Sequence, residues 1–344
     1  MNKAGENRVL IRSRAPLRIS FAGGGTDVEP FASDHGGLVL STTINRYCHA
    51  TLIPRNDSEI ELESQDYGII SQFFSSQNLT LNGELDLVKA VVKRLYGGNQ
   101  GFSLFTHSDA PPGSGLGSSS TMIMTLLGAF RQWLNLPMDR YALAELAYEV
   151  ERLDLGIKGG KQDQYAAAFG GFNLIEFRHD GVLVEPLRLP AEVLNELHYQ
   201  LILCYTKKTR LSARIIETQI DNYLQHQESV VQALKKTKEL TLQMKKALLL
   251  GRCDEFGELL HEIWVNKRRF ANGITDDFID RLYHLARSHG ALGGKILGAG
   301  GGGHLLLYCP YHRKQKVIEA LQEAGTEIVP FSFDTEGLSV WTIQ

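Results

Sequence analysis

The sequence predicts an α+β fold with two domains. Strand-like and helical segments are both present, but they do not alternate regularly, which argues against a doubly wound parallel sheet. A chain of 344 residues is long enough to form two domains with separate cores. Its character changes at Leu187–Pro190, where a strand-rich part gives way to long helical patterns. We therefore predict domains over residues 1–187 and 188–344.

The first part opens with strand signals and a glycine turn. Strand-like runs cover Val9–Phe21, with a break at Pro16, and then Val39–Ile53 and Glu59–Glu63. Between the first two, three consecutive glycines followed by Thr26 form a tight turn that presents Asp27. The plainer interpretation is a turn aspartate that accepts hydrogen bonds from its own backbone. A helical pattern follows over residues 86–96 and stops at two glycines.

The stretch from Asp109 to Thr121 has the features of a phosphate-binding loop. It follows a strand-like run (residues 102–105) and precedes an apolar helical run (residues 122–134). Three glycines let the backbone approach a ligand closely, and three serines stand where the helix begins with unpaired N–H groups. The alternative is a turn with a serine N-cap. No Gly-Lys-Ser/Thr tripeptide follows, so other residues must supply positive charge if a triphosphate binds.

A second acidic and glycine-rich region follows this helix. A helical pattern over residues 139–153 ends near Glu149 and Glu151, and a glycine-rich loop then carries Lys158, Lys161 and Asp163. Lysines beside a single acid on such a loop indicate a site that handles anions. The alternative is that Asp163 only caps the helix that begins near residue 165. Residues 172–184 are predicted to form a hairpin.

The second part is dominated by helical patterns. We predict helices over residues 212–250 (two helices), 254–270 and 276–288, and strands over 198–205, 292–297, 304–309, 326–333 and 338–343. The run Gly298–Gly303 matches Gly-x-Gly-x-x-Gly, but a strand pattern follows it instead of the helix that a dinucleotide site needs. We therefore predict close packing of these glycines against another segment or a ligand.

Composition limits the classes of partner. Hydrophobic residues make up 43% of the chain, charged residues 22%, and the net charge is −3, so no general attraction to nucleic acid or to a membrane is expected. The four cysteines are far apart in sequence and are expected to be reduced and buried. The first residues lack the apolar core of a signal peptide, and no apolar run is long enough to span a bilayer. These observations predict a cytoplasmic protein.

Three motifs, in order, resemble those of the GHMP kinase superfamily, which includes galactokinase, homoserine kinase and mevalonate kinase. They are Ala15–Asp27, Pro111–Ser120 and Leu297–Gly303. The resemblance covers nearly the whole chain. It implies a two-domain GHMP kinase fold, with an N-terminal domain like that of a ribosomal protein, a ferredoxin-like C-terminal domain, and an active site between them.

Within the superfamily, the first motif is most similar to that of the heptose kinases, which act on D-glycero-D-manno-heptose 7-phosphate. The kinase part of L-fucose kinases is also similar. Galactokinases carry Gly-Glu-His-x-Asp in this box, whereas Gly24 and Gly25 stand here in place of the Glu and His. The resemblance therefore implies an ATP-dependent kinase that converts a heptose 7-phosphate to the 1,7-bisphosphate in nucleotide-activated heptose synthesis. The alternatives are an L-fucose 1-kinase and a non-catalytic nucleotide or sugar sensor.

The resemblance also implies residue roles. Asp163 corresponds to the catalytic base and Arg18 to its basic partner. Ser119 and Glu151 correspond to the Mg²⁺ ligands, with Glu149 as the alternative because the spacing from Glu151 to Asp163 is one residue longer than in mevalonate kinases. The nucleotide would bind Pro112, Gly113, Ser114, Gly115, Leu116, Gly117, Ser118, Ser119 and Ser120. The substrate would bind Gly24, Gly25, Thr26, Asp27, Lys161, Arg210, Gly301 and Gly302.

The chemistry agrees with these roles. Phosphoryl transfer needs positioning and charge neutralisation, and one serine and one carboxylate meet the protein's share of a magnesium site. If the substrate already carries a phosphate, the basic candidates to bind it are Lys158, Lys161, Lys207, Lys208 and Arg210, unless the basic loop is simply solvated. The residues do not distinguish ATP from GTP, and a homodimer remains open.

Overall fold

The computed structural model describes residues 9–74, 79–209 and 212–344. Its helices are α1 (Phe31–His35), α2 (Asp86–Leu95), α3 (Ser118–Trp133), α4 (Arg140–Glu149), α5 (Gln162–Phe169), α6 (Ala191–Gln200), α7 (Ser212–Leu224), α8 (Glu228–Leu249), α9 (Cys253–Lys267), α10 (Asp277–Ser288) and α11 (Tyr311–Glu323). Its strands are β1 (Leu10–Ala22), β2 (Gly37–Pro54), β3 (Ile60–Ser64), β4 (Ile69–Phe73), β5 (Phe102–Ser108), β6 (Asn173–Arg178), β7 (Gly181–Pro186), β8 (Leu201–Tyr205), β9 (Gly293–Ile296), β10 (His304–Tyr308), β11 (Glu327–Ile328), β12 (Phe333–Asp334) and β13 (Ser339–Ile343). A π-helical turn, Val150–Asp154, continues α4.

Over the residues that the structure describes, these strands form two mainly antiparallel sheets, which is typical of an α+β fold. Within the described residues, the larger sheet has the order β13-β1-β2-β5-β3-β4, with β12 and β6 also paired to β2, and β7 paired to β6. Its pairs are antiparallel except for β3 with β5. The smaller sheet has the order β11-β8-β10-β9 and is antiparallel. The β1–β2 register shifts at Pro16–Leu17, where the sequence predicts a break.

Helices cover these sheets and join them through apolar packing. Helix α3 is buried along almost its whole length and lies on β1 and β2. Phe21 of β1 packs edge-on against Phe256 of α9, with ring centroids 5.2 Å apart, so one core is continuous from the larger sheet to the second half of the chain. A second core surrounds Trp264 and Phe270, which are therefore buried inside the chain.

Two predicted strands near the second sheet differ from the structure. The strand predicted over 198–205 begins only at Leu201, because Val193 and Leu197 supply a buried apolar stripe that extends α6 to Gln200. The strand predicted over 326–333 is two short strands in different sheets. Pro330 lies between them and cannot donate to a ladder.

The predicted domain boundary at residues 187/188 remains a prediction. The structure adds that β12 and β13, at the far end of the chain, pair with β2 and β1 in the larger sheet. The last segment therefore returns to the sheet of the first part.

Candidate active site

The three glycine clusters, far apart in sequence, lie around one cleft. The turn at Gly24–Asp27, the loop at Gly113–Ser120 and the run at Gly298–Gly302 all contribute to its lining. The loop from Ile157 to Asp163, α7 and the end of α9 complete it. Segments from both halves of the chain thus form the wall of this cleft.

The loop before α3 has the geometry of an anion site. Gly117 takes a left-handed conformation (φ +80°) and occupies the N-cap position of α3, with no side-chain cap, so the alternative of a serine N-cap is wrong. Because the first internal helix bond runs from Thr121 N to Gly117 O, the backbone N–H groups of residues 118–120 precede the helical ladder. All three serines line the cleft. Backbone donors and a helix dipole there favour a phosphate.

This loop is held in place by its neighbours. Arg18 donates from Nη1 to Gly115 O at 2.6 Å, and its backbone N–H donates to Leu116 O at 3.1 Å. A Cβ on Gly115 would lie 2.8 Å from Leu297 O, so the second and third glycine clusters touch backbone to backbone. His304 donates from its backbone to Ser114 O at 3.0 Å, and the Ser114 side chain is buried beneath the loop.

Asp163 and Arg18 form an ion pair in the cleft. Arg18 donates from Nε to Asp163 Oδ1 at 2.8 Å. Both residues line the cleft, and the Asp163 side chain, at 20%, is more exposed than that of Arg18, at 3%. Asp163 lies in the first turn of α5, whose N-cap is Lys161 without a side-chain cap. The alternative in which Asp163 only caps this helix is therefore wrong.

Asp27 is fully buried and tied to the same loop. It accepts hydrogen bonds from Gly25 N at 2.9 Å, from Gln162 N at 3.1 Å and from Gln162 Nε2 at 3.1 Å. Burial, reinforced by the charge of Asp163, raises the pKa of Asp27. A Cβ on Gly160 would lie 1.9 Å from Asp27 Oδ2, so this loop approaches as closely as only a glycine allows. The turn interpretation of Asp27 is thus incomplete, since a second segment also binds it.

Of the two candidate metal carboxylates, Glu151 lies in the cleft. It is 2% exposed and accepts from Ser120 Oγ at 2.5 Å and Gln164 Nε2 at 2.7 Å, with Arg152 Nη1 at 3.3 Å. Glu149 instead pairs with Arg94 outside the cleft lining. Glu151 belongs to the π-helical turn, which accommodates one more residue than an α-turn, consistent with the longer spacing to Asp163.

The oxygens of Ser119 and Glu151 are hard donors of the type that Mg²⁺ prefers, and both residues line the cleft. Over residues 9–74, 79–209 and 212–344, no group of three or more His, Cys, Asp or Glu side chains could hold a metal ion. A magnesium site here would therefore depend on substrate phosphates and water for its other ligands, as is usual for this ion.

Of the remaining predicted site residues, some line the cleft and others only contact neighbouring parts of the protein. Gly302 lines the cleft, while Gly301 N donates to Ile274 O at 2.8 Å. The Thr26 hydroxyl is buried and donates to Gly23 O at 2.8 Å. Lys161 forms an ion pair with Glu29, with Nζ 3.4 Å from Oε1, and its ammonium also lies over a tyrosine ring. Arg210 lies outside the described residues.

Other predicted residues also lie at the margins of the cleft. The side chains of Pro112 and Leu116 are not part of its lining, and Lys208 stacks over the Phe278 ring at 4.1 Å. Lys158 does line it and is exposed. The structure therefore brings Lys158, but not Lys161, to the cleft wall.

Sequence reasoning missed several residues of this cleft. Lys267 and Gln219 reach it from α9 and α7, and Arg152 binds the backbone of the loop at Ile157 and Gly160, at 3.2 and 3.0 Å. Gln219 donates to Gly25 O at 2.9 Å. They stand outside the glycine clusters, so no local pattern marks them.

Comparison with known proteins shows the family of this chain. The family model of the GHMP kinase N-terminal domain matches residues 86–171, and that of the GHMP kinase C-terminal domain matches residues 244–327. A D-glycero-alpha-D-manno-heptose 7-phosphate kinase from Campylobacter jejuni is 39% identical over 338 residues, covering 97% of this chain and 99% of its own length. The chain belongs to the GHMP kinases.

Membership of this family, together with the 39% identity to a heptose phosphate kinase, makes the protein a sugar kinase, a phosphotransferase with an alcohol group as acceptor. A crystal structure of a D-glycero-D-manno-heptose 1-phosphate kinase from Bacteroides thetaiotaomicron superposes with a TM-score of 0.83 at 36% identity, covering 97% of this chain and 99% of that one. The bifunctional fucokinase/GDP-fucose pyrophosphorylase of Arabidopsis thaliana is 26% identical over 91% of this chain but only 31% of its own length. The likeness to heptose phosphate kinases supports a sugar-phosphate kinase.

Two further predictions concern cysteines and membranes. All four cysteines are free and buried, as the sequence predicts. Within the described part of the chain, none of the helices is long and apolar enough to cross a bilayer.

Proposed function

We propose that this protein uses ATP to phosphorylate the anomeric hydroxyl of D-glycero-D-manno-heptose 7-phosphate, giving the 1,7-bisphosphate for nucleotide-activated heptose synthesis. The observation that carries the proposal is the 39% identity to a heptose 7-phosphate kinase across nearly the full length of both chains. The substrate is inferred from the name of that relative. Transfer to the anomeric hydroxyl is inferred from the resemblance of the three motifs to those of anomeric sugar kinases. We further propose that the protein acts in the cytoplasm.

The proposed roles follow from the cleft. Asp163 accepts the proton of the anomeric hydroxyl as that oxygen attacks the γ-phosphorus, and ADP leaves with the bond to the β-phosphate oxygen broken. Arg18, held by Asp163 and Gly115 O, orients the base and faces the developing charge. The amides before and within the start of α3 bind the nucleotide phosphates.

Ser119 and Glu151 are the proposed protein ligands of Mg²⁺. When bound, the ion would neutralise charge on the phosphate oxygens. Ser120 and Gln164 orient the Glu151 carboxylate through hydrogen bonds to Oε2, and Arg152 Nη1 lies 3.3 Å from Oε1. These three contacts leave one of its roughly four acceptor positions for a further ligand. Asp27 and the neighbouring glycine turn are proposed to bind the sugar hydroxyls.

The first glycine turn supports a substrate other than galactose. A Cβ on Gly25 would lie 2.9 Å from Phe270 Cε2, and the residue has φ +100°, so the histidine of a galactokinase box would not fit without strain. At Gly24 the nearest atom to a Cβ is Gln162 Nε2 at 3.3 Å. Because this turn has no side chains at positions 24 and 25, other residues of the cleft must bind the sugar.

L-fucose is the second candidate, favoured by the 26% identity to 31% of the length of a plant bifunctional fucokinase/GDP-fucose pyrophosphorylase. ADP release with magnesium-ATP should be measured on heptose 7-phosphate, mannose 6-phosphate, L-fucose, galactose and mevalonate, with D163A as the control. Turnover of the heptose phosphate that is lost in D163A would support the proposal. Turnover of L-fucose alone would replace it, and nucleotide binding without any turnover would favour a sensor.

A further inference from the structure

Two buried lysines in the second half of the chain have similar surroundings. Lys267 ends α9 and donates from Nζ to Ile296 O at 3.2 Å and to Gly298 O. Lys295 in β9 donates from Nζ to the carbonyl oxygens of Ser20 and Phe21, at 2.8 and 3.2 Å. Their exposed fractions are 5% and 2%. Each ammonium is thus held by two backbone carbonyls.

Neither ammonium forms an ion pair with an acid. Among the residues that the structure describes, no carboxylate lies within ion-pair distance of either Nζ, and the partners of both are backbone carbonyls. The charge of Asp27 raises the pKa of both lysines, but burial lowers it by more. Burying an unpaired ammonium is costly. Burial, reinforced by the charge of Arg18, accordingly lowers the pKa of Lys267 to about 7.

The two lysines differ in one respect. Lys267 lines the cleft beside Arg18 and Gly298, whereas Lys295 does not. An ammonium has three donors, and the carbonyls of Ile296 and Gly298 take two of those on Lys267. A third donor therefore remains on a desolvated cation in the wall of a cleft that already holds Arg18.

The phosphate loop lacks the lysine that a Walker loop places against the terminal phosphates. Gly298, whose carbonyl Lys267 binds, packs against this loop, since a Cβ on Gly298 would lie 2.8 Å from Gly115 Cα. Lys267 thus reaches from α9 to the place where the second and third glycine clusters meet. The Lys267 ammonium would supply at this place the positive charge that the phosphate loop itself lacks.

We propose that the Lys267 ammonium donates its third N–H to a phosphate oxygen bound in the cleft. The proposal rests on the proposed function in that the cleft must hold phosphates. The phosphate is either the γ-phosphate of ATP or the one already on the sugar. Both present the same charged acceptor, and the experiment separates them.

The experiment compares K267M with K295M, a control that removes an equally buried, carbonyl-bound lysine that is not part of the cleft lining. Isothermal titration calorimetry measures the dissociation constants of ATP, ADP and heptose 7-phosphate. If Lys267 binds the γ-phosphate, K267M lowers the affinity for ATP roughly 10- to 100-fold, which corresponds to the loss of a charged hydrogen bond, and leaves the affinity for ADP unchanged. If it binds the sugar's phosphate, the loss appears on heptose 7-phosphate instead. K295M should bind all three ligands as the wild type does.

A second pair of variants guards against misfolding. K267Q keeps N–H donors for the two carbonyls without the charge, and K267R keeps the charge. K267Q should lose as much ligand affinity as K267M, and K267R should keep part of the affinity that these variants lose. Affinities of K267Q for ATP and heptose 7-phosphate equal to those of the wild type, or an equal loss in K295M, would overturn the proposal. If the wild type does not bind or turn over heptose 7-phosphate, the proposed function fails, and the ratio of ATP to ADP affinity alone decides the role of Lys267.

Discussion

Replacement of Asp163 by asparagine separates its charge from its shape. The amide has nearly the same size and keeps an oxygen for Arg18 Nε, which now lies 2.8 Å from Oδ1. What is lost is the ability to accept the hydroxyl proton, and a positioned base contributes about 10²- to 10⁴-fold to rate. We expect kcat to fall by that factor, while the KM for ATP stays within about threefold because the nucleotide loop does not depend on this charge.

The alanine variant should add a stability effect. Arg18 is 3% exposed, and without Asp163 its guanidinium would be buried without a carboxylate. Breaking a buried pair costs roughly 3–5 kcal/mol, and because Asp163 is partly exposed we expect a loss of about 3 kcal/mol. Urea unfolding of D163A and D163N should therefore show a larger loss in the alanine variant, and coupled ADP-release kinetics should show similar losses of kcat in both.

Retention of kcat within about threefold of the wild type in D163N, at saturating substrates, would refute the assignment of Asp163 as the base. An unfolding midpoint for D163A equal to that of the wild type would refute the stated role of the ion pair in the fold. The two readouts are independent, so each part of the reasoning stands or fails separately.

Three more predictions concern the walls of the cleft. Glu151→Gln should raise the magnesium concentration needed for half-maximal rate by about tenfold or more, whereas Glu149→Gln should not; equal magnesium titrations of the two variants would contradict the metal assignment. Gly160→Ala places a Cβ 1.9 Å from Asp27 Oδ2 and should raise the sugar KM by at least about tenfold with little change in the ATP KM, and an unchanged sugar KM would place the substrate elsewhere. Because the pKa of Lys267 is lowered to about 7, the folded chain holds fewer protons than the unfolded chain above that pH, so the wild type should gain stability over K267M as pH rises from about 7 to 9. Urea unfolding should show a gain of up to about 1.4 kcal/mol per pH unit, and parallel pH profiles would exclude the shift.

The local parts of this site could be predicted from sequence because glycine and serine act on their own backbone. The left-handed Gly117 followed by three serines fixes a loop and a helix start within a few residues. The same holds for the strand after Gly303, which excludes a dinucleotide site. Such features need no knowledge of distant segments.

The contacts between segments could not be predicted in the same way. Arg18 and Asp163 are 145 residues apart, and only the family resemblance paired them. Nothing in the sequence around Lys267 distinguishes it from a surface lysine at the end of a helix, because its burial depends on the packing of α9 against β9. That Glu151 rather than Glu149 lines the cleft also could not be read from the sequence, because Glu151 lies in a π-helical turn that no local pattern indicates.

The most direct test of the account is the product formed from D-glycero-D-manno-heptose 7-phosphate with magnesium-ATP, followed by phosphorus NMR. We predict a second sugar phosphate signal, coupled to the anomeric proton, that appears in step with ADP and is absent with D163A. A product phosphorylated at another carbon, or no new sugar phosphate while L-fucose is turned over, would contradict the proposed reaction.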